Sequence, residues 1–254
     1  MKPRRLGIVS ALHQEQAGLI GLMKNAQTHQ AGMRDYVQGK LGDVDCVCVL
    51  SRIGKVAAAA TAATLIVRFG VTHIVFTGVA GAISDKVKVG DIVVADSLAQ
   101  HDMDASPLFP PLEVPLLGQS HFASDNTLTE KVLAAAGAFV EYDFAQVISS
   151  EDRRSLHLDK PAIHRGLIAS GDQFIHDRGK AQALAQALPG LLAVEMEGAA
   201  VAQVCFEFGL PFAVIRTISD GSNEDSAMNF VHFIERVASP YALHILRHLC
   251  APGF

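Results

Sequence analysis

Apolar residues fall into short, nearly uninterrupted runs separated by glycine, proline or polar stretches. This is the pattern of strands buried on both faces alternating with helices, and it predicts an α/β protein. Residues 6–12 carry no polar alternation and predict a core strand, and residues 16–23 predict the start of a helix. Residues 35–40 and 45–50 predict a strand pair around the Gly42-Asp43 turn. The Ala-rich stretch 54–69, stopped by Gly70, predicts a helix. Residues 73–76 predict a short strand that runs into a turn at Gly78-Val79-Ala80-Gly81, and 91–95 predict another strand. Periodicity fails over 101–125, where Pro107, Pro110, Pro111 and Pro115 surround Leu108 and Phe109. Such an apolar loop is a lid, an interface element or an irregular connection. Beyond it, 128–139, 197–208 and 230–250 predict helices, the last interrupted at Pro240. Residues 146–149, 166–170, 193–195 and 212–219 predict strands. No repeat or linker divides the chain, so one domain over 1–254 is expected.

Composition narrows the function classes. Half of the 254 residues are hydrophobic and 19% are charged, enough apolar surface to exclude a disordered chain. A formal net charge of −5 argues against non-specific nucleic-acid binding, which needs a basic surface. No apolar run approaches the ~18–20 residues of a membrane-spanning helix. Met1-Lys2-Pro3-Arg4-Arg5 imitates the start of a signal peptide, but the run after it stops at His13-Gln14-Glu15 without a small-residue cleavage site. A cytoplasmic protein is expected. Cys46, Cys48, Cys205 and Cys250 contain no CxxC pair and read as buried free thiols.

Ligands of α/β sheets bind beyond the carboxyl ends of the strands. Three acids from distant parts of the chain fall there: Glu15, Glu197 and Asp220. Each has a plainer reading. Glu15 and Glu197 suit helix N-termini, and Asp220 before Gly221 suits a turn. Glu197 is the oddest, because Glu195-Met196-Glu197 lies between apolar and Ala-rich segments, where a buried carboxylate is costly. The glycines at 78 and 81 let backbone approach a ligand, but neither GxGxxG nor a P-loop is present. Ser51-Arg52-Ile53-Gly54-Lys55 lacks Walker spacing and reads as a strand-to-helix turn. His101-Asp102-Met103-Asp104 is too compact for a metal site on its own, and no GxSxG or HExxH is present. No cofactor or metal is implied.

Taken in order, these segments resemble the 5′-methylthioadenosine/S-adenosylhomocysteine nucleosidases, within the nucleoside phosphorylase family. The resemblance runs over nearly the whole chain. It rests on Gly7-Ile8 through Glu15, Ser51-Arg52-Ile53-Gly54-Lys55-Val56, Thr77-Gly78-Val79-Ala80-Gly81, Val89-Gly90-Asp91-Ile92-Val93-Val94, His101-Asp102, Ser170-Gly171-Asp172-Gln173-Phe174-Ile175, Val194-Glu195-Met196-Glu197 and Arg216-Thr217-Ile218-Ser219-Asp220. It implies a three-layer α/β/α sandwich around a mixed, partly barrel-like sheet, and a homodimer, since in the family the loop after His101 reaches the neighbouring subunit. It implies hydrolysis of the N-glycosidic bond of an adenosine thioether. Glu15 matches the water-activating carboxylate, and Asp220, after Ser219, matches the acid at purine N7. Met196 and Glu197 match a ribose-binding pair. Phe174 and Ile175 match the purine slot, Phe230 of Met228-Asn229-Phe230 an aromatic over the base, and Ile53 and Val79 substrate-lining positions.

The chain departs from the family in three places. Val79 replaces a serine in the Ser-Ala-Gly-Gly run, His13-Gln14 replaces an acidic run, and the Pro-rich loop with Leu108 and Phe109 is unusual. Three rival readings remain at this point: a nucleoside phosphorylase, a futalosine-type hydrolase and a nucleoside-binding protein without turnover. Glu15 disfavours the first, since a carboxylate repels a phosphate nucleophile, and Arg52 and Lys55 read as structural.

Overall fold

The computed structural model describes residues 4–16, 18–222 and 230–252, with Val231 described by its backbone alone. Residues 1–3, and Met228 and Asn229 of the Met228-Asn229-Phe230 motif, lie outside the described residues. The first half of the chain gives β1 (Leu6–Ser10), β2 (Lys24–Ala31), β3 (Arg34–Leu41), β4 (Val44–Leu50), α1 (Lys55–Val67), β5 (His73–Ala82), β6 (Ile92–Gln100) and β7 (Phe122–Ala123). The second half gives α2 (Asn126–Ala138), α3 (Phe144–Val147), α4 (Ser150–Ser155), β8 (Ile163–Ser170), α5 (Arg178–Ala187), β9 (Leu191–Glu195), α6 (Gly198–Glu207), β10 (Phe212–Asp220), α7 (Phe230–Phe233) and α8 (Ser239–Leu249).

The sheet is mixed and runs β10-β6-β8-β9-β5-β1-β4-β3-β2, with a further β10–β5 pairing. That pairing closes β5, β9, β8, β6 and β10 into a five-stranded barrel-like ring, from which β1, β4, β3 and β2 extend as an open flank. Strand β1 is buried throughout and pairs in parallel with both β4 and β5. Its side chains alternate between two cores. Leu6 and Ile8 pack with Val132 of α2 and with Tyr241 and Ile245 of α8, whereas Val9 packs with Ala62 and Leu65 of α1 and Val201 of α6. Each such buried aliphatic contributes roughly 1.5–3 kcal/mol of transfer free energy. Helices on both faces of a mixed sheet give the three-layer α/β/α arrangement that the resemblance implied.

Several local expectations are corrected. Gly78–Gly81 is strand, not turn: Gly78, Val79 and Ala80 pair with Arg216, Thr217 and Ile218 of β10, and Gly81 pairs with Asp220. Residues 16–23 form two 3-10 turns, His13–Gln16 and Ile20–Leu22, separated by Gly18 at φ 79°, a backbone angle incompatible with a continuing α-helix. Residues 146–149 are not a strand. Phe144 anchors the short helix α3, and Ser149 caps α4 by accepting from the Asp152 N–H at 3.0 Å. The polar strand β2 had no apolar signal, and α5, capped by Asp177, buries no residue fully. Pro240 lies in the first turn of α8, after a π-helical stretch Ile234–Ala238, where a missing N–H is tolerated. All four cysteines are buried and free, and burial pushes the Cys250 thiol up to about 12.

Asp91 locks β6 onto β8. Its carboxylate accepts from the Ala162 N–H at 2.9 Å and the Lys88 N–H at 3.0 Å, and pairs with His164 Nε2 at 2.9 Å. Asp91→Ala strands these donors, so it is expected to lower unfolding free energy by about 2–4 kcal/mol. Urea denaturation checks this; a midpoint equal to that of the wild type would refute the structural role.

Candidate active site

The chain leaves β1 into the turn His13–Gln16, which folds the Glu15 side chain back over the strand end. Glu15 Oε2 accepts from the Ala11 and Leu12 N–H groups, both at 2.8 Å, and Oε1 accepts from the Val79 N–H of β5 at 3.2 Å. Burial raises the pKa of this carboxyl; the backbone donors and the nearby Arg216 charge only partly offset that. Gly78 is required by this packing. A Cβ there would lie 2.8 Å from Glu15 Oε1 and 3.4 Å from Arg216 Nη1.

Arg216 is buried in β10. Nη2 donates to Glu195 Oε2 at 2.7 Å, and Nη1 donates to the Phe76 and Ile215 carbonyls at 3.1 Å. The guanidinium carbon stands 4.1 Å from the Phe76 ring centre, a cation–π distance. Glu195 also accepts from Ser170 Oγ and from the N–H groups of Glu197 at 3.1 Å and Gly198 at 2.9 Å. Glu195 therefore serves the N-terminus of α6, and Glu197 makes no capping bond there. This corrects the helix-terminus reading of Glu197. Its Oε1 instead accepts from the Gly54 N–H at 2.8 Å, across the sheet end. Burial, reinforced by the Glu195 charge, pushes Glu197 up to about 8.

The third acid ends β10. Ser219 Oγ donates to Asp220 Oδ2 at 2.7 Å, and the Ser222 N–H donates to Oδ1 at 2.9 Å, so both carboxyl oxygens are held. Asp220 is therefore not a plain turn residue. The apolar side of the site comes from Met196, buried Ile175, half-exposed Ile53 and Phe174, and Phe230, whose ring meets that of Phe174 edge-on at 6.0 Å.

These groups surround one cavity of about 350 Å³, of a size for a small ligand. Glu15, Ile53, Val79, Phe174, Ile175, Met196, Glu197, Ser219, Asp220 and Phe230 all line it. Glu195, Gln173 and Ser222 line it too and had not been singled out. For Glu195 a signal existed: Arg216 is a charge inside an apolar strand and needs a buried partner. Arg52 and Lys55 do not line the cavity. Arg52 Nη2 donates to the Met33 carbonyl at 2.7 Å, and Lys55 Nζ binds Asp102 Oδ1 at 2.5 Å and Gln100 Oε1 at 3.0 Å. Leu108 of the Pro-rich loop is exposed and lies outside the cavity lining. Among the described residues, no group of three or more His, Cys, Asp and Glu is placed to hold a metal ion, and no helix is long and apolar enough to cross a membrane.

The family model of the phosphorylase superfamily matches residues 5–251. The 5′-methylthioadenosine/S-adenosylhomocysteine nucleosidase of Shewanella putrefaciens is 33% identical over 242 residues, 95% of this chain and 96% of that one. The crystal structure of the equivalent nucleosidase from Neisseria meningitidis, in complex with methylthio-immucillin-A, has a TM-score of 0.85 at 31% identity, covering 97% of this chain and 98% of that one. The futalosine hydrolase of Helicobacter pylori is similar as well, with a TM-score of 0.81 at 29% identity over 96% of this chain and 97% of that one.

The Glu197 environment generates a stability prediction. Its folded value of about 8 exceeds the ordinary 4.5, so the fold favours the protonated acid. Between those values the unfolded chain ionises first, and Glu197 costs stability progressively as pH rises. Glu197→Gln keeps an acceptor for Gly54 without the charge. It is expected to be more stable than the wild type by about 1–3 kcal/mol at pH 8, a gain that vanishes near pH 4.5. Thermal unfolding at both pH values checks the sign; a gain independent of pH would contradict the assignment.

Proposed function

The chain belongs to the phosphorylase superfamily, and we propose that it is a phosphate-independent member, hydrolysing the N-glycosidic bond of 5′-methylthioadenosine, S-adenosylhomocysteine or both. The observation that carries this reading is the make-up of the cavity wall. Glu15, Glu195, Glu197 and Asp220 line it, and among the described lining residues there is no Lys, Arg or His. A phosphate dianion would find no lining cation to hold it there, whereas water meets an acceptor.

In the proposed mechanism, Glu15 Oε takes a proton from a water molecule as that water attacks the sugar anomeric carbon. Asp220 delivers a proton to purine N7, so adenine departs neutral rather than as a poor anionic leaving group. The bond to the base breaks as the bond to water forms, giving free adenine and a thioribose. This is the two-carboxylate logic of inverting glycosidases, with the acid and the base on opposite sides of the scissile bond. Glu197, which burial favours in the protonated form in the free protein, accepts from the ribose hydroxyls, and the oxocarbenium-like charge that develops beside it favours its ionised form. Met196 packs on the sugar, Phe174 and Phe230 cover the base, and backbone at Ile175 reads its edge. Ser219 orients Asp220, while Val79 contributes its N–H to Glu15, a role that does not need the family's serine hydroxyl.

The test is product analysis on 5′-methylthioadenosine, S-adenosylhomocysteine and futalosine, each with and without phosphate. Free adenine and unphosphorylated thioribose at a phosphate-independent rate are expected. A sugar 1-phosphate would make the protein a phosphorylase, and turnover of futalosine alone would move it to that class of hydrolases. Glu15→Gln is expected to lose about 10²–10⁴ in kcat while still binding adenine. In the wild type, kcat/KM should fall on the acid side at a pH above the ordinary 4.5, because burial raises Glu15 and the base works only when ionised. An unchanged kcat in Glu15→Gln would point to binding without catalysis by this acid.

The reading extends to assembly. Leu108 and Leu116, both in the 101–125 segment, are 82% and 93% exposed, apolar surface suited to burial against another copy. A homodimer is proposed, and a monomer mass by light scattering would overturn it.

A further inference from the structure

Resting on the function proposed above, we infer that Asp172 is a positioning residue for the reaction. With the Lys55–Asp102 ion pair it ties the base-slot loop 173–175 to the turn 52–54, and so fixes the backbone N–H that holds Glu197.

The tie joins segments that follow three different strands. Gln100 at the end of β6 pairs with Ser170 at the end of β8, and the His101 N–H donates to the Ser170 carbonyl at 2.9 Å. Asp102 and Asp172 therefore leave the sheet from neighbouring strand ends. Asp102 Oδ1 accepts from Lys55 Nζ at 2.5 Å, and Oδ2 accepts from the Asp172 N–H at 2.9 Å. Asp172 Oδ1 accepts in turn from the Lys55 N–H at 2.8 Å, which closes the circuit. Helix α1, reached from β4, is thus held both by the Lys55 side chain and by its first amide. Burial works against the Asp102 charge, but Lys55 and the Asp172 N–H hold that carboxyl below its ordinary range. Lys55, Asp102 and Asp172 all lie outside the cavity lining, whereas Ile53 and residues 173–175 belong to it.

The turn depends on such a tie. Arg52 and Gly54 have φ 71° and 98°, and Gly54, at the N-cap of α1, has no side chain to accept from the helix amides. Asp172 supplies that acceptor from 117 residues away. The approach is close: a Cβ at Gly54 would lie 3.2 Å from Asp172 Oδ1. Consecutive amides of one turn then serve two acids. The Gly54 N–H goes to Glu197 at the cavity, and the Lys55 N–H goes to Asp172 outside it. Glycine backbone is free to swing, so the second bond sets the aim of the first. An N–H donor favours ionised Glu197, the form that the developing oxocarbenium charge calls for. The aim of the Gly54 N–H therefore bears on the transition state more than on substrate binding.

The experiment compares the wild type, Asp172→Ala and Asp172→Asn. It measures kcat and KM for 5′-methylthioadenosine, adenine affinity by calorimetry, and thermal unfolding, with kinetics taken well below each midpoint. Alanine keeps the backbone N–H at 172, so Asp102 still holds the base loop and the link to the turn alone is cut. Asp172→Ala is expected to lower kcat roughly 3–10-fold, the worth of one net hydrogen bond, with KM and adenine affinity within about twofold of the wild type. Asparagine restores an acceptor for the Lys55 N–H, so Asp172→Asn should recover kcat to within about twofold. A merely structural residue would lower the midpoint and leave kcat alone. An unchanged kcat in Asp172→Ala overturns the inference and leaves the proposed function standing. So does a loss that asparagine does not recover, or one in which KM and adenine affinity weaken in step with kcat. A wild type that releases no adenine overturns the proposed function and this inference together.

Discussion

The buried ion pair between Arg216 and Glu195 is the constraint around which the site is organised. Carboxylates are expensive to bury, and this cavity wall holds four of them. Arg216 supplies the buried positive charge that lowers the cost for Glu15 and Glu197 as well as for its direct partner. Glu195 in turn satisfies the first amides of α6 and the Ser170 hydroxyl, so that Glu197 is released from capping and faces the cavity. Removing one partner would leave an uncompensated charge in the core, a loss of about 3–5 kcal/mol in comparable buried pairs. One interaction therefore links the stability of the barrel to the electrostatics of the site.

The sheet supplies the convergence. Strand β5 has β1 on one side and β10 on the other, both parallel to it. The acids that follow β1 and end β10 consequently arrive at the same end of the sheet. Closure of the ring through β10–β5 brings β9, with Glu195, to that end as well. The glycines of β5 then act as vacated positions: Gly78 yields its side-chain space to Glu15 and Gly81 to Ser222 and Asp220.

Much of this was legible in the chain. Runs such as 6–12 and 212–219 carry their burial in composition, and the acids at their ends were visible as outliers among apolar neighbours. The misreadings share a cause. At Gly78–Gly81 the local signal for a turn was overruled by partners from β10 and by Glu15, more than sixty residues away. At 16–23 the apolar pattern was overruled by the backbone of Gly18. Strand β2 holds its place through backbone pairing with β3, which leaves no hydrophobic trace in KNAQTHQA. Glu195 and Glu197 sit in one tripeptide, and it is their partners from distant segments, Arg216 and Ser170 for the one and Gly54 for the other, that separate their roles.

Strand β2 also bears on how the molecule meets its own kind. It forms the open end of the sheet, where unpaired backbone groups are a template for adding strands from other chains. Lys24, Asn25, Gln27 and Thr28 along it are exposed, so an incoming strand would have to strip water from polar side chains and gain little apolar burial in return. The edge is thereby protected against runaway polymerisation without a covering helix among the described residues.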